Sequence, residues 1–337
     1  MKKLGFALAG LGRIGKIHLD NLLLMQNVEI VAVTDPLEAS LQYAKDLGIS
    51  TVPTYEDLLE IAEVGAIVIC TPTDTHADYV EKAALAGKHV FCEKPLDLNL
   101  QRVVEVLETV KKMKVSLMIG FNRRFDPEFT KVKDSVKSGL VGEPHLVKIT
   151  SRDPGPPPVS YIKQSGGLFL DMTIHDFDMA RFIVGKEVKE VYAKGAVLVN
   201  EAIGEAGDID TAIVILTYTD GSMAVIDNSR EAAYGYDQRL EVFGSEGMVQ
   251  GNNILSDNHK LYNKQGVYGA KPLHFFLERY AAAYKIEMQS FADALNGVTD
   301  IPVGGEDGLL SLKIGLAAKK SLEENRPVQL EEISVRA

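Results

Sequence analysis

The stretch Gly166–Phe182, GGLFLDMTIHDFDMARF, sets three carboxylates, an imidazole and a guanidinium among large apolar residues. On a helix over 171–184, turning about 100° per residue, Asp171, His175 and Asp178 fall within about 60° of one another. Met172, Met179 and Ile183 flank one side, and Ile174 and then Phe177 the other. The result is a narrow polar stripe between apolar shoulders. Burying unpaired charge costs several kcal/mol, so such a stripe persists only where its groups satisfy one another or bind something. An Asp–His pair at i, i+4 has a ready chemistry. The carboxylate orients the imidazole and raises its basicity, which suits His175 to general-base work near neutral pH. Two other readings stay open. The pair can be a helix-stabilising contact without catalysis. Asp171, His175 and Asp176 can also form an O/N ligand set. No second histidine-rich cluster completes that set and Asp176 lies off the stripe, so the expectation is no metal.

A second constellation lies near the start of the chain. GLGRIG holds Gly10, Gly12 and Gly15, with Arg13 and Ile14 between them, after an apolar run and at the opening of a helical pattern. In that context a G-x-G-x-x-G motif is a dinucleotide loop. Gly10 makes the tight turn, Gly12 lets a pyrophosphate approach the backbone, and Gly15 lets helix and strand pack closely. The helix N-terminus offers unpaired N–H groups to the anion. Asp35 closes the second apolar run, where its carboxylate can accept from ribose hydroxyls and would repel a 2′-phosphate. Pro36 and Leu37 follow, not an arginine, so NAD is expected rather than NADP.

CTPTDTH puts Thr71, Pro72 and Thr73 at the carboxyl end of the third apolar run, where open parallel sheets bind ligands. Thr75 is expected to cap the next helix. His76 would fall in that helix's first turn, as a cofactor-side contact or a surface histidine. FCEKPL is more informative. Pro95 disfavours helix for the residue before it, so Lys94 is expected extended at a strand end beside Glu93. There its ammonium could bond a substrate oxygen and a ribose hydroxyl. An ordinary solvated lysine is the alternative.

These residues need a scaffold. Through residue 121, apolar runs at 3–10, 29–35, 66–70, 88–93 and 115–121 alternate with helical patterns at 13–26, 37–47, 55–62, 75–86 and 99–113. Such alternation predicts a doubly wound parallel sheet of Rossmann type over 1–121. Beyond it the rhythm changes. A helical pattern at 126–138 and the loop PGPPP (154–158) precede long, partly alternating runs at 187–199, 210–230 and 238–252. TDGS and GSEG are hairpin turns. Helical patterns return at 274–296 and 305–325. The expectation for 122–337 is an α+β domain with a large open mixed or antiparallel sheet, for substrate binding and oligomerisation. A C-terminal segment is expected to pack back on the first domain.

The composition fits a globular protein, and a net charge of −11 with no basic cluster argues against nucleic acid. Cys70 and Cys92 are too few for a disulfide framework and weakly suggest a reducing compartment. No apolar run approaches the length of a membrane span, and the glycine-interrupted N-terminus is not a signal peptide, so a cytoplasmic protein is expected.

GLGRIG, Asp35, EKP and DMTIHDFDMARF together resemble the glucose–fructose oxidoreductase / inositol dehydrogenase (Gfo/Idh/MocA) family over nearly the whole chain. GFNRRFDPEF, ITSRDPGPPP and YGYDQRLEVFGSEG look like its inositol 2-dehydrogenases in particular. The resemblance implies an NAD-dependent dehydrogenase of a cyclic polyol. The implied reaction is myo-inositol to 2-keto-myo-inositol (scyllo-inosose) in inositol catabolism, by a homotetramer joined through the open sheet. Scyllo-inositol, another isomer or an aldose are alternative substrates, and a non-catalytic NAD or sugar sensor is the alternative of another class. Lys94 matches the lysine that contacts cofactor and substrate. Asp171 and His175 match the family's acid and histidine, with His175 as general base while hydride leaves the same carbon. Asp178, Arg124 and Tyr234 match substrate contacts. Some relatives carry a histidine after KIT; this chain has Arg152 and Asp153 there, and both count as substrate candidates.

Overall fold

The computed structural model describes residues 3–335. The chain forms two compact units. One takes the chain through Asn122, Ala283–Leu310 and Val335; the other takes Arg123–Ala282 and Ser311–Ser334.

The first unit holds five strands: β1 (Leu4–Ala9), β2 (Val28–Thr34), β3 (Ala66–Ile69), β4 (His89–Glu93) and β5 (Leu117–Gly120). They pair in parallel in the order β2-β1-β3-β4-β5. Every residue of β3 and β5 is buried, as parallel strands covered on both faces require. Helices Arg13–Leu23, Glu38–Asp46, Tyr55–Glu60, Thr73–Leu85 and Leu100–Met113 follow the strands, each near its predicted place. The chain leaves β1 on one side to make β2 and on the other to make β3. That reversal opens a crevice at the carboxyl ends of β1 and β3, where Gly10–Gly15 and Thr71–Thr73 lie. Distant chain completes this core. Phe291, on helix Ala281–Leu295, meets Phe6 and Phe91 with ring centroids 5.8 and 5.9 Å apart, and Ile119 N donates to Val303 O at 3.0 Å.

The second unit is built on a seven-stranded mixed sheet: β6 (Pro144–Arg152), β7 (Val188–Ala196), β8 (Thr211–Tyr218), β9 (Met223–Ser229), β10 (Asp237–Gly244), β11 (Met248–Gly251) and the two-residue β14 (Val328–Gln329). The order is β11-β10-β6-β9-β8-β7-β14. Only β6 and β9 pair in parallel. Helices Pro127–Lys137 and Ile174–Val184 pack against one face. The other face carries Ile213, Ile215, Met223 and Phe243 half-exposed, the alternation of a sheet covered on one side. Two short strands outside that sheet, β12 (Lys260–Asn263) and β13 (Gly266–Gly269), pair only with each other.

Three expectations need correction. The helix expected over 171–184 is two helices, Gly167–Asp171 and Ile174–Val184. Met172 N and Thr173 N share the Leu168 carbonyl at 3.0 Å each, which widens the turn, and the Thr173 hydroxyl bonds Asn228 Oδ1 at 2.7 Å. Asp171 therefore ends one helix and His175 opens the next, so they share no single-helix stripe. The helical pattern at 274–296 likewise splits into Phe276–Arg279 and Ala281–Leu295 at the buried Tyr280. Thr75 is not a cap: its helix starts at Thr73 on Pro72, and the Thr75 hydroxyl donates back to Pro72 O at 2.7 Å.

Candidate active site

In the first unit the glycine loop has the shape its spacing predicts. Gly10 sits at φ +91°, and a Cβ there would lie 2.7 Å from the Cys70 backbone. A Cβ on Gly15 would lie 1.9 Å from Gly10 O, so helix and strand pack closer than any side chain permits. A Cβ on Gly12 would meet nothing within 4 Å. Gly12 heads helix Arg13–Leu23 without a side-chain cap, leaving first-turn N–H groups open to an anion. Arg13 is exposed and Ile14 half-buried beside it. Asp35 accepts from Leu11 N at 2.7 Å through one oxygen and from Leu37 N at 2.8 Å through the other. Both oxygens keep a lone pair for ribose hydroxyls. An uncapped helix end, open space at Gly12 and an acid locked to the loop fit a dinucleotide. Gly10, Gly12, Gly15 and Asp35 would hold it, with Thr71–Thr73 at the neighbouring strand end.

His76 is buried, which excludes the surface reading. Its ring spans Thr71 O and Pro95 O, each at 2.8 Å, and so ties the loop after β3 to the loop after β4. A neutral imidazole carries one N–H and can donate to only one of these carbonyls at a time. Glu93 ends β4 with its carboxylate 2.7 Å from the buried His18, and its other oxygen lies against Gly120, where a Cβ would be 2.9 Å away. Lys94 follows, and its bond to Pro95 is cis.

In the second unit Arg124 grips Asp178 with two hydrogen bonds, Nε to Oδ2 at 2.8 Å and Nη2 to Oδ1 at 2.6 Å, both side chains buried. Such a fork holds a carboxylate in one plane. Asp171 accepts from the Tyr161 hydroxyl at 2.8 Å and pairs with Arg230 Nη1 at 3.1 Å. The same Nη1 lies 3.6 Å from Asp153. One cation thus serves two acids. Burial pushes the Asp153 carboxyl up to about 6, against the pull of Arg230 and with the help of Asp171. Asp176, considered above as a metal ligand, is fully buried and held by Arg123 Nη1 and by Asn228 Nδ2 at 2.9 Å. Burial raises its carboxyl despite both partners.

Two candidates lie elsewhere. Ser151 joins the Arg123 network on the helix-covered face, so Arg152, the next residue of β6, points to the open face. There it bonds Asp227 Oδ1 at 2.6 Å and the Tyr234 hydroxyl at 3.1 Å. Tyr234 in turn donates to Asp237 and lines an open groove of about 390 Å³ with Pro154, Lys271 and His274. Arg152 and Tyr234 therefore belong together, apart from the group around Asp171 and Asp178. Sequence reasoning also missed Arg230 and Arg123. Arg123 had a visible signal in the doublet beside Arg124; Arg230, after a strand end, had none.

Comparison with known proteins agrees with both halves. Residues 4–121 match the family model "Oxidoreductase family, NAD-binding Rossmann fold", and residues 129–250 match "GFO/IDH/MocA C-terminal domain". The chain is 51% identical to the myo-inositol 2-dehydrogenase of Thermotoga maritima, covering 96% of this chain and 98% of that one. It is 47% identical to the inositol 2-dehydrogenase of Rhizobium meliloti, covering 96% and 98%. The solved scyllo-inositol dehydrogenase of Lactobacillus casei, with bound NAD(H) and scyllo-inositol, superposes with a TM-score of 0.91 at 32% identity, covering 98% and 100%. With a parallel sheet, a dinucleotide loop and this likeness along nearly its whole length, the chain belongs to the Gfo/Idh/MocA family and is an NAD-dependent oxidoreductase.

Proposed function

We propose that the protein oxidises a cyclic polyol, myo-inositol, at carbon 2 to 2-keto-myo-inositol. The observation that carries this reading is the set of paired acids and arginines in the second unit: Arg124 with Asp178, and Arg230 with Asp171 and Asp153. Oriented buried carboxylates and a guanidinium fork can address several hydroxyls at once. Such a site discriminates strongly against an analogue lacking one, because a buried partner is left unpaired. The chain has no tryptophan, so recognition rests on hydrogen bonds rather than on stacking against an indole. The two relatives named for inositol support the substrate class.

His175 takes the proton of the reacting hydroxyl. Asp171 stabilises the imidazolium that forms. Lys94 donates to the substrate oxygen and holds its developing charge. Asp178, Arg124 and Asp153 orient the remaining hydroxyls, and Arg152 and Tyr234, bonded to each other, act from outside that group. Bound NAD supplies the acceptor for the hydride leaving the same carbon. Gly10, Gly12, Arg13, Ile14, Gly15, Asp35, Thr71, Pro72, Thr73, His76 and Glu93 form or support its seat. The half-exposed Ile213, Ile215 and Phe243 on the open face suit a homotetramer, and the free thiols of Cys70 and Cys92 suit a reducing, cytoplasmic setting.

The test is NADH formation with each inositol isomer, glucose and xylose. A high rate with an aldose and none with any inositol would remove the proposal. His175→Ala should cut turnover by about 10²–10⁴-fold while leaving NAD affinity unchanged. The Lactobacillus casei relative supports scyllo-inositol as a second reading, separated from the first by the ratio of kcat/KM values for the two isomers.

A further inference from the structure

Helix Arg13–Leu23, which the glycine loop opens, buries Gly15, His18, Leu19 and Leu22. An amphipathic helix fills such a face with apolar residues. His18 breaks that rule, and it is 0% exposed. Its ring stands edge-on to Phe91 and Tyr284, with centroids 5.0 and 5.7 Å away. Its Nε2 meets Glu93 Oε1 at 2.7 Å, and among the described residues its Nδ1 has no hydrogen-bond partner. The bond to Glu93 is thus what offsets the cost of burying an imidazole here.

Glu93 is the last residue of β4, and the sheet releases the chain there. Pairing with β3 stops at Cys92, opposite Ile69, while Glu93 pairs only with Gly120 of β5. Its second oxygen rests on Gly120, where a Cβ would lie 2.9 Å from Oε2. Glu287, fully buried on helix Ala281–Leu295, is close enough for Glu93 to help burial push its carboxyl well above the usual range. Glu287 therefore stays neutral near pH 7, and the negative charge of the cluster rests on Glu93.

Lys94 comes next, and Pro95 after it. The Pro95 carbonyl accepts from His76 Nδ1 at 2.8 Å. Two buried histidines thus bracket Lys94, His18 through the Glu93 side chain and His76 through the Pro95 backbone. The helix that offers N–H groups to a pyrophosphate is tied, through one hydrogen bond, to the residue before the lysine. Such a tie bears on rate, because misplacing a reacting group by about 1 Å can cost about 10²-fold.

We propose that His18 is a positioning residue: by clamping Glu93 it fixes Lys94 relative to the bound dinucleotide. This depends on the role proposed for Lys94 and not on which polyol reacts.

The test is steady-state kcat with whichever polyol gives NADH fastest, beside labelling of Lys94 by acetic anhydride with and without saturating NAD, read by peptide mass spectrometry. His18→Phe keeps a ring but loses the bond. Gly120→Ala pushes the carboxylate off its seat and leaves His18 intact. Each is expected to lower kcat about 10²-fold and to weaken the shielding of Lys94 by NAD, with NAD Kd unchanged. His18→Gln, whose amide nitrogen can take the place of Nε2, should recover most of the rate. In a Lys94→Ala background neither variant should lower kcat further, because both act through that lysine. Tm and far-UV circular dichroism report folding, and should His18→Phe not fold, Gly120→Ala carries the test. Full kcat or wild-type shielding in a folded variant, or losses that multiply with that of Lys94→Ala, would overturn the inference. A Lys94→Ala enzyme as fast as the wild type would remove the role given to Lys94, and this inference with it.

Discussion

Arg230 Nη1 stands 3.1 Å from Asp171 Oδ2, with the arginine side chain 3% exposed and the aspartate 11%. Three groups that the sequence scatters, Asp153, Asp171 and Arg230, are thereby held in one ion-pair cluster. Removing the cation from such a buried set typically costs about 3–5 kcal/mol, because the acids stay behind. Asp171 would then bind a proton more readily and support the His175 imidazolium less. Arg230→Met should therefore lower kcat about 10²-fold. It should also move the acid limb of the kcat/KM profile to lower pH, because a less supported imidazolium gives up its proton more readily, and leave NAD affinity alone. Arg230→Lys should recover part of the rate. A profile that does not move would show that Asp171 takes its charge state from other neighbours.

Asp153 makes the sign of a stability effect testable. Its folded carboxyl is raised from 3.8 to about 6 by burial, so the folded state holds this proton more tightly than the unfolded chain does. The contribution is full below pH 3.8 and is lost as pH rises through about 6. Asp153→Asn removes the titration. The variant should gain on the wild type by about 1–3 kcal/mol between pH 4 and pH 7 in urea unfolding. A gap that stays constant over that window would mean that Arg230 keeps Asp153 ionised throughout.

Gly12 and Gly15 separate binding from folding. Gly15→Ala drives a methyl group to 1.9 Å from Gly10 O, a clash with backbone that has no rotamer to relieve it. It should depress Tm strongly. Gly12→Ala places its methyl in open space at an extended backbone, so Tm should match the wild type. The same methyl stands where a pyrophosphate would approach, and NAD Kd measured by calorimetry should rise at least about tenfold. Full NAD affinity in Gly12→Ala would place the dinucleotide elsewhere.

The parallel sheet was legible because its strands are short, wholly apolar and separated by periodic helices, a pattern set by local chain alone. Its order needed pairing partners that no local pattern names. Asp35 was readable in position; its two backbone bonds, which lock it to the glycine loop, depend on tertiary contact. The break at Met172–Thr173 escaped because Thr173 is held by Asn228, 55 residues away, and that long-range bond outweighs a sequence pattern that favours one helix. The orientation of Arg152 was not legible for a simpler reason. Alternation on β6 decides which face it takes, and the face occupied by helices is known only once β6 is set between β9 and β10. The hairpin at 260–269 lacks a long apolar run, so nothing marked it as strand.

Glu287 extends the pH argument to the first unit. It is fully buried on helix Ala281–Leu295, and among the described residues neither carboxylate oxygen has a hydrogen-bond partner. Burial, reinforced by the nearby Glu93, pushes its carboxyl well above the usual range. The folded state again holds the proton more tightly. Stability from this group is full below about 4.5 and is lost as pH rises toward the folded value. Glu287→Gln keeps the shape without the ionisation. Its Tm should stay near that of the wild type in acid and exceed it by a growing margin toward pH 9. Parallel Tm curves would require a partner for the carboxylate, such as a bound water or cation, and a crystal structure at alkaline pH would locate it.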